Sequence, residues 1–194
     1  MGNNNFFAML SRMKYIHRWG LMNNTREANI GEHSLEVAIF AHALVSIANN
    51  RFGENLNADR AALMGIFHDA SEIITGDLPT PVKYFDPEIK EAYKNIEHLS
   101  EQKLLSMLPE DLRGDYAPLV DSQMGDENLH IYVKAADKLS ALVKCREELK
   151  MGNNEFLKAE RSTLEALEKI DLPALKVFME EFLPSFSLTL DELD

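Results

Sequence analysis

The stretch "LEVAIFAHALVSIA", residues 35–48, is apolar at nearly every position and constrains the fold more than any other segment. A helix that is apolar all round has no face to give to water, so other elements must enclose it. Elsewhere apolar residues recur at three- and four-residue steps, and no Asn-Gly or Asp-Gly hairpin signal interrupts them. That is the helical period, and it implies an all-α fold. At 194 residues, with no repeats, low-complexity segments or linkers, the chain reads as a single-domain helical bundle spanning 1–194.

The helices are expected over residues 5–16, 32–49, 57–69 with a short continuation to Gly76, 88–107, 109–122, 127–150, 154–168 and 172–182. Asn57 is a good N-cap and Gly76 a good stop. Residues 77–87 carry Pro79, Pro81 and Pro87 and are expected to be a loop.

A net charge of −12 argues against a nucleic-acid polymer or an anionic membrane as partner, since both need a positive surface. The charge is uneven, however. Residues 1–26 hold Arg12, Lys14, Arg18 and Arg26 and no acid, so this segment could receive a small anion. No uninterrupted apolar run of transmembrane length is evident. The start "MGNNNFFAML" lacks the basic and apolar regions of a signal peptide, and the myristoylation pattern fails at Phe6. With one cysteine, Cys145, no internal disulfide can form, and a cytoplasmic location is expected.

The polar residues that do not fit a core carry the functional signal. "FHDASEIITGDLPTP", residues 67–81, sets His68 and Asp69 side by side at the end of an apolar helical run. Glu72 and Asp77 follow within the same segment. Buried carboxylates are costly unless paired, hydrogen-bonded or bound to a metal. His33 opens the enclosed helix, and Asp137 lies amid Val133, Ala136, Ser140 and Leu142. The plain reading of each alone is a capping or hydrogen-bonded polar group, and for Asp137 it stands level with a functional one. Together His33, His68, Asp69 and Asp137 form a nitrogen and oxygen ligand set. It suits one divalent first-row ion, such as Mn, Co, Fe, Ni, Cu or Zn, in a bundle core. His42 lies nine residues from His33, half a turn away around the helix, and is expected to be a core or interface histidine. His17, His98 and His130 are expected to be solvated.

The order His33, His68-Asp69, Asp137 resembles the H…HD…D signature of the HD-domain metal-dependent phosphohydrolases. The segments "HRW", "EHSL", "HDASE", "TGDLPTPVKYF", "GNNEFL" and "PSF", spread over residues 17–186, are similar to the bacterial 5′-deoxynucleotidases of the YfbR type. The resemblance implies hydrolysis of deoxyribonucleoside 5′-monophosphates to deoxyribonucleosides and phosphate, by a homodimer. It implies Glu72 as acid/base, on a helix continuing from His68-Asp69, with Asp77 in support. Arg18 would orient the phosphate. Trp19, which by itself reads equally well as a core or dimer-interface aromatic, would in this family pack against the sugar or base and leave no room for a 2′-hydroxyl. Asp77, Leu78, Pro79 and Thr80 would complete the substrate contacts, with the ligands His33, Asp69 and Asp137 beside them. Glu36 is a candidate partner for His33, and Lys83 either a phosphate charge or a solvated lysine.

Other HD hydrolases take polyphosphates, which call for more basic residues than the single lysine between 69 and 87. A cyclic-dinucleotide phosphodiesterase of the HD-GYP kind would need a GYP motif. A catalytically silent binding module would have lost a ligand or the acid/base, and all are present.

Overall fold

The apolar helix is the longest feature of the N-terminal half in a computed structural model of the protein, running from Ile30 to Phe52. The structure describes residues 4–194 except Tyr84, and Thr80 by its backbone alone. In chain order the elements are α1 (Phe6–Leu10), β1 (His17–Arg18), β2 (Ala28–Asn29), α2 (Ile30–Phe52), α3 (Ala58–Phe67), α4 (Glu72–Thr75) and α5 (Thr80–Lys83). Then follow α6 (Pro87–Ser106), α7 (Glu110–Val120), α8 (Glu127–Lys150), α9 (Leu157–Glu168) and α10 (Pro173–Val177). Short 3-10 and π turns fill the C-terminal tail.

The described residues fall into two compact units. One gathers residues up to Met22 with Glu27–Leu35 and Ile66–Asp126; the other gathers Asn23–Arg26, Glu36–Gly65 and Glu127–Asp194. In the first, Phe6, Ala70, Leu104, Leu105, Leu108 and Val120 form the core, with Phe67 and Tyr116 packed against it. Full burial of each large apolar side chain is worth about 1.5–3 kcal/mol, enough to seat short helices that would not form alone. Asp86 caps α6, its Oδ1 accepting from Glu88 N at 2.7 Å, and Pro87 starts the first turn.

In the second unit α8 supplies Leu129, Val133, Ala136, Leu139 and Leu142, all buried. Phe40 packs edge-on against Phe178. A Cβ placed on Gly65 would lie 2.8 Å from the Ala38 Cα, so α3 approaches α2 as only glycine permits. By length and composition α2 could cross a membrane, although polar residues interrupt its apolar run. Yet 56% of its most apolar window is buried inside the protein, while Leu35, Ile39 and His42 lie exposed along one face, so the helix is covered on most sides rather than enclosed all round as expected.

Several expectations need correction. The helix expected over 5–16 stops at Leu10, and a 3-10 turn at Met13–Tyr15 leads into an extended Ile16. Ile30 N donates to Ile16 O at 3.0 Å, and His17 pairs with Asn29 and Arg18 with Ala28. Those long-range bonds draw the chain straight where local periodicity favoured helix. The third helix ends at Phe67, not Asp69; Pro79–Lys83, expected as loop, closes a helical turn on the Pro79 carbonyl. The helix expected over 172–182 is α-helical only to Val177 and widens into a π turn before Pro184. His42 is exposed, near Ser46 and Asp59, so of its two expected places, core and interface, the core is ruled out. His98 is half-buried against Glu101 and Asp121 rather than solvated. Glu36 accepts from Ser140 Oγ on α8 at 2.5 Å.

Candidate active site

The turn that follows α3 decides where the site lies. Ala70 N bonds to Phe67 O and Glu72 N to Asp69 O, so residues 68–71 tighten into a turn before α4 starts at Glu72. His68 and Asp69 therefore leave the helix, and α4 is a new helix rather than a continuation of α3. The first turn of α2 contributes His33, which is 5% exposed.

These three residues converge. His33 Nε2 lies 3.5 Å and His68 Nε2 3.1 Å from the same Asp69 Oδ2. Two donors bound to one ion at ligand lengths of about 2.0–2.2 Å stand about 3.0–3.5 Å apart. The spacing and the nitrogen-oxygen chemistry both fit a divalent cation held by His33, His68 and Asp69. Burial opposes charge on Asp69, but the two imidazoles outweigh it and hold its carboxyl well below the usual range. His98, Glu101 and Asp121 form another close group. There the carboxylates already accept hydrogen bonds from Ser122, Gln102 and Gln123, which tie α6 to the end of α7.

Glu72 is 8% exposed, and its Oε2 is buried without a hydrogen-bond partner. Burial, then Asp69 and Asp77, push its pKa up to about 9, against the pull of Arg18 and Lys83. A carboxyl so placed holds a proton at neutral pH in the metal-free protein. Functional sites are where such shifts concentrate. Arg18 ends β1, half-buried. Trp19 follows at φ 59°, the one residue other than glycine with a positive φ among the described residues. That conformation is costly for a bulky side chain and is held by contacts. One of them is to the next loop: Trp19 N donates to Asp77 Oδ2 at 3.2 Å.

Asp77 follows Gly76, whose φ of 74° turns the chain out of α4. Leu78 and Pro79 are half-buried. The Thr80 side chain, expected to touch substrate, lies outside the described residues. Asp137 is half-buried on α8 and belongs to the second unit. Lys83 bonds to Glu97 and Tyr93 reaches Gly76, contacts between residues distant in sequence that join α6 to the loop carrying Asp77. No spacing within α6 signals them.

Residues 5–186 match the family described as "5′-deoxynucleotidase YfbR-like". The chain belongs to this family. It is a 5′-deoxynucleotidase, a phosphoric monoester hydrolase of the all-α HD type. The 5′-deoxynucleotidase of Erwinia tasmaniensis is 53% identical over 100% of this chain and 98% of its own length. The 5′-deoxynucleotidase YfbR of Escherichia coli is 52% identical over 100% of this chain and 97% of its own. Among solved structures, an HD-domain phosphohydrolase from Listeria innocua superposes with a TM-score of 0.83 at 25% identity, covering 96% of this chain and 90% of that one. The cyanophage S-2L HD phosphohydrolase, solved with dA and one catalytic Zn²⁺ ion, shares the fold. Its TM-score is 0.66 at 22% identity, covering 94% of this chain and 96% of that one.

Proposed function

We propose that this 5′-deoxynucleotidase reads the deoxyribose with Trp19 and the phosphate with Arg18. It would work with one divalent ion held by His33, His68, Asp69 and Asp137. The observation that carries this reading is the buried Glu72 carboxyl beside the His33–His68–Asp69 cluster. Asp137 joins the ligand set on the four-part H…HD…D order. When bound, the cation would polarise a phosphoryl oxygen, acidify water and draw the pKa of Glu72 down toward neutrality.

The chain's own residues would do the rest. The Arg18 guanidinium presents a planar fork to the phosphate oxygens. Glu72 takes the proton of the attacking water as the bond to phosphorus forms. A proton returns to the departing 5′-oxygen from Glu72 or from Asp77, which stands on the loop opposite Trp19. Held at positive φ against Asp77, the Trp19 ring leaves no space for a 2′-hydroxyl. The backbone of Leu78, Pro79 and Thr80, with His33, Asp69 and Asp137, completes the substrate contacts.

Residues 1–194 would act as one HD-type domain, as a homodimer in the cytoplasm, with neither a nucleic-acid polymer nor a membrane as partner. The negative charge supports the last point and the family resemblance the others. The test is phosphate release by metal-stripped protein reloaded with Mn²⁺, Co²⁺, Cu²⁺ or Zn²⁺. The substrates are dAMP, dUMP, AMP, a deoxynucleoside 3′-monophosphate, dATP and guanosine tetraphosphate. Release confined to the deoxy 5′-monophosphates supports the reading. Equal release from AMP refutes the role given to Trp19, and turnover of the polyphosphates alone moves the substrate class.

A further inference from the structure

The loop that carries Asp77 is tied at both ends to one face of α6. At its start, the Tyr93 hydroxyl lies 3.2 Å from Gly76 O and 3.3 Å from Thr75 Oγ1. At its far end, Lys83 Nζ donates to Glu97 Oε1 at 2.9 Å and sits 4.9 Å from the centre of the Tyr93 ring. Tyr93 and Glu97 are four residues apart, which puts them one turn apart on the same face of the helix. Tyr93 is 8% exposed, and the Lys83 and Glu97 side chains are 30% and 22% exposed. The ammonium is thus partly withdrawn from water between an aromatic face and a carboxylate, where both attractions gain strength.

Between these anchors the loop has a third tie, the bond from Trp19 N to Asp77 Oδ2. A short loop fixed at both ends loses most of its alternatives before substrate arrives. The Asp77 carboxylate then needs little ordering when substrate binds.

We infer that Tyr93 and Glu97 are positioning residues of the deoxynucleotidase. By fixing residues 76–83 onto α6 they hold Asp77 against Trp19, and so govern both turnover and the rejection of the 2′-hydroxyl. The inference rests on the reading of Asp77 and Trp19 as substrate contacts. A merely structural pair would stabilise α6 and leave selectivity untouched.

The experiment compares kcat and KM for dAMP and AMP in the full-length, metal-reloaded protein. The variants are Tyr93→Phe, Glu97→Gln and their double, with Trp19→Ala and Asp77→Asn as controls, and unfolding temperature is recorded for each. Tyr93→Phe keeps the ring under Lys83 and removes only the hydroxyl. It is expected to lower kcat/KM for dAMP about tenfold and to narrow the dAMP-to-AMP ratio, with unfolding within a few degrees of wild type. Glu97→Gln keeps a neutral hydrogen bond and is expected to fall between, with the double variant lowest. Glu97→Asp should recover part of the ratio. If both single variants keep the wild-type ratio while the controls lose it, the inference is overturned. It is equally overturned if activity falls only in proportion to folded protein, with KM and ratio unchanged. If Trp19→Ala and Asp77→Asn also leave the ratio intact, the substrate-contact reading has failed first, and the inference falls with it.

Discussion

Replacing Glu72 by Gln should make the metal-free protein more stable and the reloaded enzyme far slower, a pair of opposite signs that few other roles produce. Glu72 is 8% exposed and one of its oxygens has no hydrogen-bond partner, while Asp69 and Asp77 oppose its ionisation. Its carboxyl titrates near 9 in the fold, against an ordinary value of 4.5. The protonated form's contribution to stability is therefore complete below about pH 4.5 and is lost as pH rises toward 9. Gln has nearly the same shape and never ionises. The variant should match wild type near pH 4.5 and exceed it by about 1–3 kcal/mol at pH 8.5, the range set by one ill-satisfied buried polar group. In a chain of this length that is about 2–12 °C of unfolding temperature. Turnover of dAMP should fall about 10²- to 10⁴-fold, or about 3–5 kcal/mol of barrier, with metal content unchanged. Unfolding in chelator at pH 4.5 and 8.5, metal analysis and steady-state kinetics together decide it. Turnover within tenfold of wild type would refute the acid/base assignment. Loss of stability at pH 8.5 would refute the account of the buried carboxyl.

Asp69→Ala should lose bound metal and activity together, read by metal analysis after dialysis; full metal content in an inactive variant would point to a different role. Glu148 is fully buried and accepts from Lys144, Asn153 and the backbone amides of Thr25 and Arg26. Burial opposes its charge, but these partners prevail and hold its carboxyl far below the usual range. Its stabilisation is thus present above about pH 4.5 and fades as the medium grows more acid. Glu148→Gln turns a donor toward groups that already donate and should cost about 3–5 kcal/mol in urea unfolding at pH 7, less as pH falls. Replacing Lys144 by Met in the same chain should return part of that loss. Gly65→Ala sets a methyl 2.8 Å from the Ala38 backbone and should cost about 1–3 kcal/mol in the same assay.

The sequence by itself determined the helices whose cause is local or patterned. The all-round apolar run made α2, and the proline after Asp86 with its capping carboxylate made the start of α6. It pointed to the chemistry too, because two imidazoles and an acid set amid apolar residues suit a divalent ion. The family likeness then named the reaction. What it could not determine were features made by partners distant in sequence. The break after Leu10 comes from pairing of His17 and Arg18 with Ala28 and Asn29, a long-range bond with no local signal. His98 faces Asp121, 23 residues on, and Tyr93 reaches back to Gly76, so neither role is written in the neighbouring residues. The convergence of His33 with His68 and Asp69 is legible as a possibility in the composition. Only the fold brings both ring nitrogens onto one carboxylate oxygen. Local propensity acts over a few residues and fixes the elements; burial and hydrogen bonding act over whatever the chain brings near, and they placed the site.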